Sequence, residues 1–199
     1  MNPAGELLRH ELRRQARAAR RALDEHQRRE AAVAVSAALL QAFPQPRRIG
    51  AYAAVASELD LGPTLARWIA AGVEVYLPHI EHTAPHMQFA RWRGQQRFLV
   101  PNRFGIPEPL VSVDDLIGAE SLDLVLLPLI AYDRHGQRLG SGAGYYDRAL
   151  AFRLRQPAPP LLLGVGYACQ QVERIPAAAW DVPLDGMVTE TELLCFKEF

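Results

Sequence analysis

The stretch LLPLIAYDRHGQRLGSGAGYYDRAL, residues 126–150, decides the fold class of this chain. Its first residues form an apolar run that is typical of a buried β-strand, and its last residues begin a helical pattern. Glycine occupies positions 136, 140, 142 and 144 in the connection between them. A glycine-rich connection from a buried strand into a helix is typical of α/β proteins, and its backbone amides can surround a phosphate group.

Apolar and periodic runs on both sides of this stretch predict the remaining elements. Strands are expected at residues 49–55, 73–77, 122–127 and 161–165, with an edge strand at residues 87–92. Helices are expected at residues 6–23, 29–43, 61–71 and 145–154. Asp24 is expected to cap the second helix and Gly72 to end the third. The pattern predicts an α/β fold: a single domain over residues 1–199, with a mostly parallel open sheet flanked by helices on both faces.

Composition and charge limit the classes of partner. The 199 residues include 49% apolar side chains, enough for one domain with a sizeable core. Twenty-two basic residues balance twenty-two acidic ones, so the net charge gives no reason to expect nucleic acid or a membrane. Cys169 and Cys195 lack the spacing of a disulfide framework or a zinc site, and the charged N-terminus is unlike a signal peptide. We therefore expect a cytoplasmic protein that binds small molecules, with no obligate protein partner.

The glycine-rich connection contains the first candidate functional residues. Arg138 enters it and Asp147 leaves it, which places a phosphate-binding guanidinium close to a carboxylate that could hold Mg²⁺. Glycine at alternate positions lets the main chain approach a ligand closely. A nucleotide site is one interpretation of this pattern. A turn in which the glycines serve only the backbone is the other.

The segment RLGSGAGYYDRAL resembles the signature of the 5-formyltetrahydrofolate cyclo-ligase family, whose members read close to R-L-G-x-G-x-G-Y-Y-D at this place. Other resemblances follow in the same order along the chain. They are Leu12 and Arg13 in a basic helix, Ser57, Glu58 and Leu59 after a strand, GIPEP at residues 105–109, and WDVPLDGMVT at residues 180–189. The resemblance covers nearly the whole chain.

The resemblance implies an enzyme that uses ATP and Mg²⁺. ATP phosphorylates the formyl oxygen of 5-formyltetrahydrofolate, N10 attacks the activated carbon, and phosphate leaves to give 5,10-methenyltetrahydrofolate. The ATP-binding residues implied are Arg9, Arg13, Arg138, Leu139, Gly140, Ser141, Gly142, Ala143, Gly144, Tyr145 and Tyr146. The folate-binding residues implied are Ala53, Glu58 and Tyr145. The Mg²⁺ ligands implied are Asp147 and Asp181.

Simpler interpretations stand beside several of these assignments. Glu58 could be a first-turn charge of the following helix, with Ser57 and Asp60 as caps. Tyr145 and Tyr146 could pack a helix, and Asp181 could be only a turn residue.

Arg9, Arg13, Arg17 and Arg20 are spaced to lie along one line of the first helix, where they could contact a ligand or form only a solvated face. Arg9 stands where the family often has lysine, which keeps the charge but alters its geometry. Arg17 and Arg20 are expected on a solvated helix face rather than in a site.

The only metal-like histidine cluster is His79, His82 and His86 with Glu81. Its spacing matches no zinc motif, so we expect loop histidines near the folate entrance.

Two other functions remain open from the sequence. A diverged relative could keep the nucleotide site and act on another substrate, a choice that depends on Glu58 and the pocket around Tyr52 and Ala53. An RNA-binding protein could use the arginine-rich helix, although a net charge of zero weighs against this function.

Overall fold

The computed structural model describes residues 3–81, 86–95, 99–110 and 115–197. Its strands are β1 (Arg48–Gly50), β2 (Glu74–Ile80), β3 (Met87–Trp92), β4 (Leu99–Pro101), β5 (Pro107–Pro109), β6 (Leu116–Ile117), β7 (Leu124–Pro128), β8 (Ala131–Tyr132), β9 (Arg138–Leu139), β10 (Leu161–Val165), β11 (Gly186–Val188) and β12 (Leu193–Cys195). Eight of them form one sheet in the order β12-β11-β10-β7-β1-β2-β3-β6. The strands β11, β10, β7, β1 and β2 run parallel, and β12, β3 and β6 are antiparallel to their neighbours. The predicted α/β fold with a mostly parallel sheet is confirmed.

Helices cover both faces of this sheet. They are α1 (Pro3–Ala22), α2 (Glu25–Ala42), α3 (Gly62–Ala70) and α4 (Tyr145–Ala149), followed by a 3-10 helix at Ala151–Leu154. On one face Leu39 of α2 and Trp68 of α3 pack with Ile49 of β1, all fully buried. On the other face Leu150, which follows α4, packs with Phe89 of β3. The two apolar layers enclose the parallel strands, as such strands require.

Local signals in the sequence predicted the helix ends well. Asp24 accepts a hydrogen bond from the Gln27 backbone N–H and completes a capping box at the start of α2. Gly72 has a φ of +85°, the left-handed conformation that glycine adopts after a helix. The helix expected at residues 145–154 is divided, because the α-helix stops at Ala149 and the chain continues as a 3-10 helix.

Two strand predictions differ from the structure, and several short strands were not predicted. The strand expected at residues 49–55 ends at Gly50; the Ala51 N–H still donates to the Tyr76 carbonyl of β2 at 2.8 Å, and a turn closed between Val55 and Glu58 follows. The prediction of an edge strand at residues 87–92 is wrong, since the two-residue β6 pairs with the outer side of β3. The strands β11 and β12 were not predicted, because three-residue strands are too short to show a period of two.

Helix α1 lies across the carboxyl edge of the parallel strands. Its Ala16 packs with Ile130 and Ala131, which follow β7, and its Arg20 contacts Leu129. Open α/β sheets bind ligands at this edge. Within the described ranges, none of the helices has the length and apolar character needed to cross a membrane.

A buried ion pair joins the 3-10 helix after α4 to Asp185, the residue that precedes β11. Asp185 Oδ2 accepts from Arg153 Nη2 at 2.7 Å, and each side chain is only 3% exposed. The same oxygen accepts from the Leu162 backbone N–H at 2.9 Å. Removal of one partner of a buried pair leaves the other charge without compensation.

The Asp185→Ala substitution is therefore expected to lower the free energy of unfolding by about 3–5 kcal/mol, measured by urea denaturation. Arg29→Ala is the matched control, because Arg29 pairs with Glu25 on the exposed surface of α2 and its loss should cost about 1 kcal/mol or less. Equal losses for the two variants would contradict a structural role for the buried pair.

Candidate active site

A cleft of about 780 Å³ lies at the carboxyl edge of the sheet, beneath α1. Almost all residues that the sequence assigned to a site line it: Arg9, Arg13, Ala53, Glu58, Arg138, Gly140, Ser141, Gly142, Ala143, Gly144, Tyr145, Tyr146, Asp147 and Asp181. The exception is Leu139, whose side chain is fully buried against Ala16 and Ile130. Its side chain takes no part in lining the cleft, because the alternation of β9 turns it into the core while Arg138 faces the cleft.

The glycine loop, residues 138–147, is closed by an ion pair between its two ends. Arg138 Nη2 donates to Asp147 Oδ1 at 2.7 Å. Val182 joins both partners, because Arg138 donates to its carbonyl and its N–H donates to Asp147 Oδ1 at 3.2 Å. Gly142 and Gly144 have φ values of +110° and +70°, which other residues adopt only at a cost. The pair and the two glycines give the loop a fixed, curved main chain that is exposed along residues 140–143.

Two arginines of α1 extend the positive charge at this end of the cleft. Arg9 forms a two-point ion pair with Asp181, at 2.5 Å between Nη1 and Oδ2 and 3.3 Å between Nη2 and Oδ1. Arg13 donates from Nε to the Gly140 carbonyl at 2.9 Å. Burial and the neighbouring charges of Arg9 and Arg17 lower the pKa of Arg13. Several guanidinium groups near one another create a positive potential that favours the binding of an anionic ligand.

The expectation that Arg17 and Arg20 face solvent is wrong. Both line the cleft, and Arg20 is only 9% exposed. Helical spacing showed that the arginines share a face of α1 but not which way that face points. Because α1 packs on Ile130 through Ala16, the arginine face meets the cleft. An RNA-binding surface on these arginines is therefore disfavoured.

The two predicted Mg²⁺ ligands differ in their availability. Among the residues that the structure describes, no three His, Cys, Asp or Glu side chains cluster as a metal site. Asp147 is 28% exposed, and its two hydrogen bonds are both to Oδ1, so Oδ2 can face a ligand in the cleft. Asp181 is 8% exposed, and Arg9 and the Ala178 N–H engage its carboxylate. The donor set fits a Mg²⁺ ion that takes one or two carboxylates and completes its shell with phosphate oxygens and water.

Glu58 occupies the other end of the cleft, on a turn that follows β1. The turn is closed by the Glu58 N–H, which donates to the Val55 carbonyl at 3.1 Å, and Ala56 within it has a φ of +53°. The Val55 N–H donates to Glu58 Oε2 at 3.1 Å, so the carboxylate folds back over its own turn. This geometry disfavours the interpretation of Glu58 as a first-turn charge of α3. Side chains held in strained backbone often serve ligand binding.

The surroundings of Glu58 are apolar and aromatic. Burial raises the pKa of Glu58, while the Val55 N–H and the positive charge of Arg20 act in the opposite direction. The phenols of Tyr52 and Tyr146 are close enough that burial and the charge of Glu58 raise their pKa values. Ala53 lines the same end without polar groups of its own.

The outer wall of the cleft contains residues that the sequence did not identify. The ring of Phe104 meets Tyr145 edge-on with centroids 5.8 Å apart, and Arg103 Nη2 donates to the Tyr145 hydroxyl at 2.9 Å. The guanidinium of Arg148 lies 5.0 Å from the centroid of the Tyr145 ring. Trp180 is 60% exposed beside Asp181. Arg103 and Phe104 directly precede the GIPEP phrase, whereas Arg148 and Trp180 lie within the RLGSGAGYYDRAL and WDVPLD phrases without a role assigned to them.

Of the three histidines expected in loops, the structure describes His79 and His86. His79 is not in a loop, because it lies within β2 opposite Gln88. Its Nδ1 is 3.2 Å from Glu108 Oε2, although not in hydrogen-bond geometry, while Glu108 Oε1 accepts from the Ile80 N–H. His86 is exposed just before β3, and His82 lies outside the described residues.

Comparison with known proteins places the chain in a family. Residues 6–190 match the model of the 5-formyltetrahydrofolate cyclo-ligase family. The chain belongs to this family. It is 40% identical over 139 residues to the 5-formyltetrahydrofolate cyclo-ligase of Escherichia coli K12, an alignment that covers 68% of this chain and 74% of that protein. The Haemophilus influenzae cyclo-ligase is 34% identical over 172 residues, or 86% of this chain and 90% of that protein.

A solved structure agrees with this membership of the cyclo-ligase family. The NMR structure of Aquifex aeolicus 5,10-methenyltetrahydrofolate synthetase is similar to this chain with a TM-score of 0.80 and 31% identity. The similarity covers 96% of this chain and 94% of that one. The two-point contact of Arg9 with Asp181 gives a physical reason for arginine where the cyclo-ligase family often has lysine, because an ammonium group cannot form it.

The raised pKa of Glu58 has a measurable effect on stability. Because its pKa is higher in the folded than in the unfolded chain, the ionised carboxylate destabilises the fold. The free energy of unfolding therefore falls as the pH rises from the ordinary glutamate range through the raised value. The Glu58→Gln variant lacks this loss, so we expect its Tm to exceed that of the wild type at pH 7.5 and to match it at pH 4.

Glu173→Gln, at an exposed position outside the cleft, serves as the control and should change the Tm little at either pH value. A Glu58→Gln variant that is less stable than the wild type at pH 7.5 would contradict this account of the carboxylate.

Proposed function

We propose that this chain converts 5-formyltetrahydrofolate to 5,10-methenyltetrahydrofolate with the conversion of ATP to ADP and phosphate. One observation carries the proposal: a single cleft joins the curved glycine loop and the α1 arginines to the buried carboxylate of Glu58. An enzyme that transfers a phosphoryl group to a folate needs an anion-binding end and a heterocycle-binding end in contact. The family membership of the chain supports the same reaction.

At the anion-binding end, the protein is proposed to act by electrostatic stabilisation of the ATP phosphates. We propose that the main chain of Gly140, Ser141, Gly142, Ala143 and Gly144 surrounds the ATP phosphates, with the N–H of Leu139 and the side chains of Tyr145 and Tyr146 at its borders. Arg9 and Arg13 add positive charge from α1, and Arg138 holds the loop closed. Transfer of the γ-phosphoryl group is accelerated mainly by positioning and by neutralisation of its charge.

Mg²⁺ is proposed at the carboxylates of Asp147 and Asp181. When bound, it would neutralise charge on the phosphate oxygens during transfer. Asp147 directs one carboxylate oxygen away from Arg138 and so fits this role in the structure as it stands. Asp181 fits it when Arg9 exchanges its partner from Asp181 to a phosphate oxygen, and both groups keep an oppositely charged neighbour in that exchange.

At the other end, Glu58 is proposed to accept hydrogen bonds from the amino and ring N–H groups of the pterin. Ala53 and Tyr145 are proposed to contact the rest of the substrate. Once the formyl oxygen is phosphorylated, N10 attacks the formyl carbon, the N10 proton is lost, and the oxygen leaves with phosphate. The side chains of Tyr52 and Tyr146, which line the cleft with Glu58, are proposed to limit the access of water and so to favour ring closure over hydrolysis.

We further propose that residues 1–199 act as one cyclo-ligase domain, because α1 carries contacts to both ends of the same cleft. The cytoplasmic location and the lack of a nucleic-acid, membrane or protein partner stay predictions from the sequence.

The test mixes purified protein with 5-formyltetrahydrofolate, Mg²⁺ and ATP and follows the absorbance of the methenyl product. We expect ATP-dependent product from the wild type and a fall in kcat of about 100-fold or more for Asp147→Asn. The asparagine keeps an oxygen for Arg138 and Val182 but removes the charge. Asp24→Asn is the matched control, because asparagine caps α2 equally well and Asp24 lies outside the cleft.

A wild type that is stabilised by Mg-ATP but forms no product would instead support a diverged relative with another substrate. Full activity of Asp147→Asn would overturn the Mg²⁺ assignment and leave the reaction itself standing.

A further inference from the structure

Arg20 is a buried arginine whose contacts use only part of its guanidinium. Its Nε donates to Ser57 Oγ at 3.0 Å, and its Nη1 donates to the Leu129 carbonyl at 3.4 Å. Within the described part of the chain, Nη2 makes no hydrogen bond, and the residue lines the cleft. Because Arg20 lines the cleft with no acceptor for Nη2 among the described residues, a bound ligand that supplies an acceptor gains a charge-assisted hydrogen bond.

Glu58 lies near this donor and supplies a hydrogen-bond acceptor of opposite charge. Ser57, which anchors Arg20, directly precedes Glu58 in the turn after β1. The positive charge of Arg20 is also close enough to lower the pKa of the Glu58 carboxyl. This end of the cleft therefore presents both a carboxylate acceptor and a guanidinium donor, and Tyr52 and Tyr146 line it as well.

We propose that Arg20 binds the folate substrate by donating a hydrogen bond from Nη2 to the 4-oxo oxygen of its pterin ring. The proposal rests on the proposed function and deepens it. A pterin presents a carbonyl oxygen next to a ring N–H and an amino group, so its edge offers one acceptor followed by two donors. Glu58 matches the donors, and Arg20 matches the acceptor beside them. The pair selects an oxo-pterin over a ring in which this oxygen is replaced by an amino group.

The anchors of Arg20 explain why the contact is selective. Ser57 and Leu129 hold the guanidinium plane, so it cannot turn to satisfy a ligand of another shape. A 4-amino group would place N–H donors against the N–H donors of Arg20. A site with a fixed polar group rejects the mismatched analogue strongly, because both groups then lose their partners.

The experiment measures the Kd of tetrahydrofolate and of its 4-amino-4-deoxy counterpart by titration calorimetry. Selectivity is the Kd of the 4-amino ligand divided by the Kd of the 4-oxo ligand. We expect this ratio of Kd values to be about tenfold or more higher in the wild type than in Arg20→Met. Arg21→Met is the matched control, since Arg21 is the adjacent, exposed arginine of α1, and its ratio of Kd values should equal that of the wild type. The KM for ATP should stay unchanged in both variants.

Ser57→Ala provides a second variant should Arg20→Met fail to fold. It removes the Nε anchor without touching Nη2, so the ratio of Kd values should fall between those of the wild type and Arg20→Met. Equal weakening of both ligands in the Arg20 and Ser57 variants would overturn the proposal, because it is the result of a purely structural arginine.

Failure of tetrahydrofolate, the 4-oxo ligand, to bind the wild type would overturn it as well. Product formation by the wild type is scored separately, so failure of the reaction and failure of this contact are distinguishable.

Discussion

The ion pair between Arg138 and Asp147 is the constraint on which the site depends. It joins the first and last residues of the glycine loop, and both partners contact Val182. Without it, a loop with so many glycines would sample many conformations, and its amides would not converge on one ligand. Asp181 precedes Val182 and binds Arg9, so the same clamp also positions the start of α1.

Helix α1 then links the two ends of the cleft, because its arginines contact both of them. Arg9 and Arg13 contact the phosphate end, and Arg20 contacts the turn that presents Glu58. Arg20 lies eleven residue steps after Arg9 in the helix, which is about 16 Å along its axis. That length suits a substrate pair in which a triphosphate approaches the far side of a bicyclic ring. The helix acts as a rigid spacer between the two binding ends and keeps the reacting groups in register.

The sequence predicted the parts of the site that are local in the chain. The glycine loop, Arg138 and Asp147 lie within one short segment, so their proximity needed no knowledge of the fold. The direction of the arginine face of α1 depends on where the helix packs, and for that reason Arg17 and Arg20 were assigned to solvent. The burial of Leu139 depends likewise on the register of β9.

Local sequence patterns could not predict contacts between segments that are distant along the chain, because such contacts also depend on how the fold packs. Phe104 meets Tyr145 only because the β4–β5 hairpin folds over the cleft. The turn at Ala56 after β1 was likewise not predicted, because its positive φ is unusual for alanine and the turn is held by contacts of Glu58 and Arg20 with neighbouring residues.

The central claim is that the cleft brings the γ-phosphate of ATP to the formyl oxygen of the folate. The most direct measurement uses 5-formyltetrahydrofolate labelled with ¹⁸O in its formyl group, in a single turnover with excess enzyme, followed by mass analysis of the released phosphate. Our account predicts one ¹⁸O atom in nearly every phosphate, because the formyl oxygen leaves bonded to phosphorus. Unlabelled phosphate, released together with the methenyl product, would show that ATP is cleaved by water and would contradict the account.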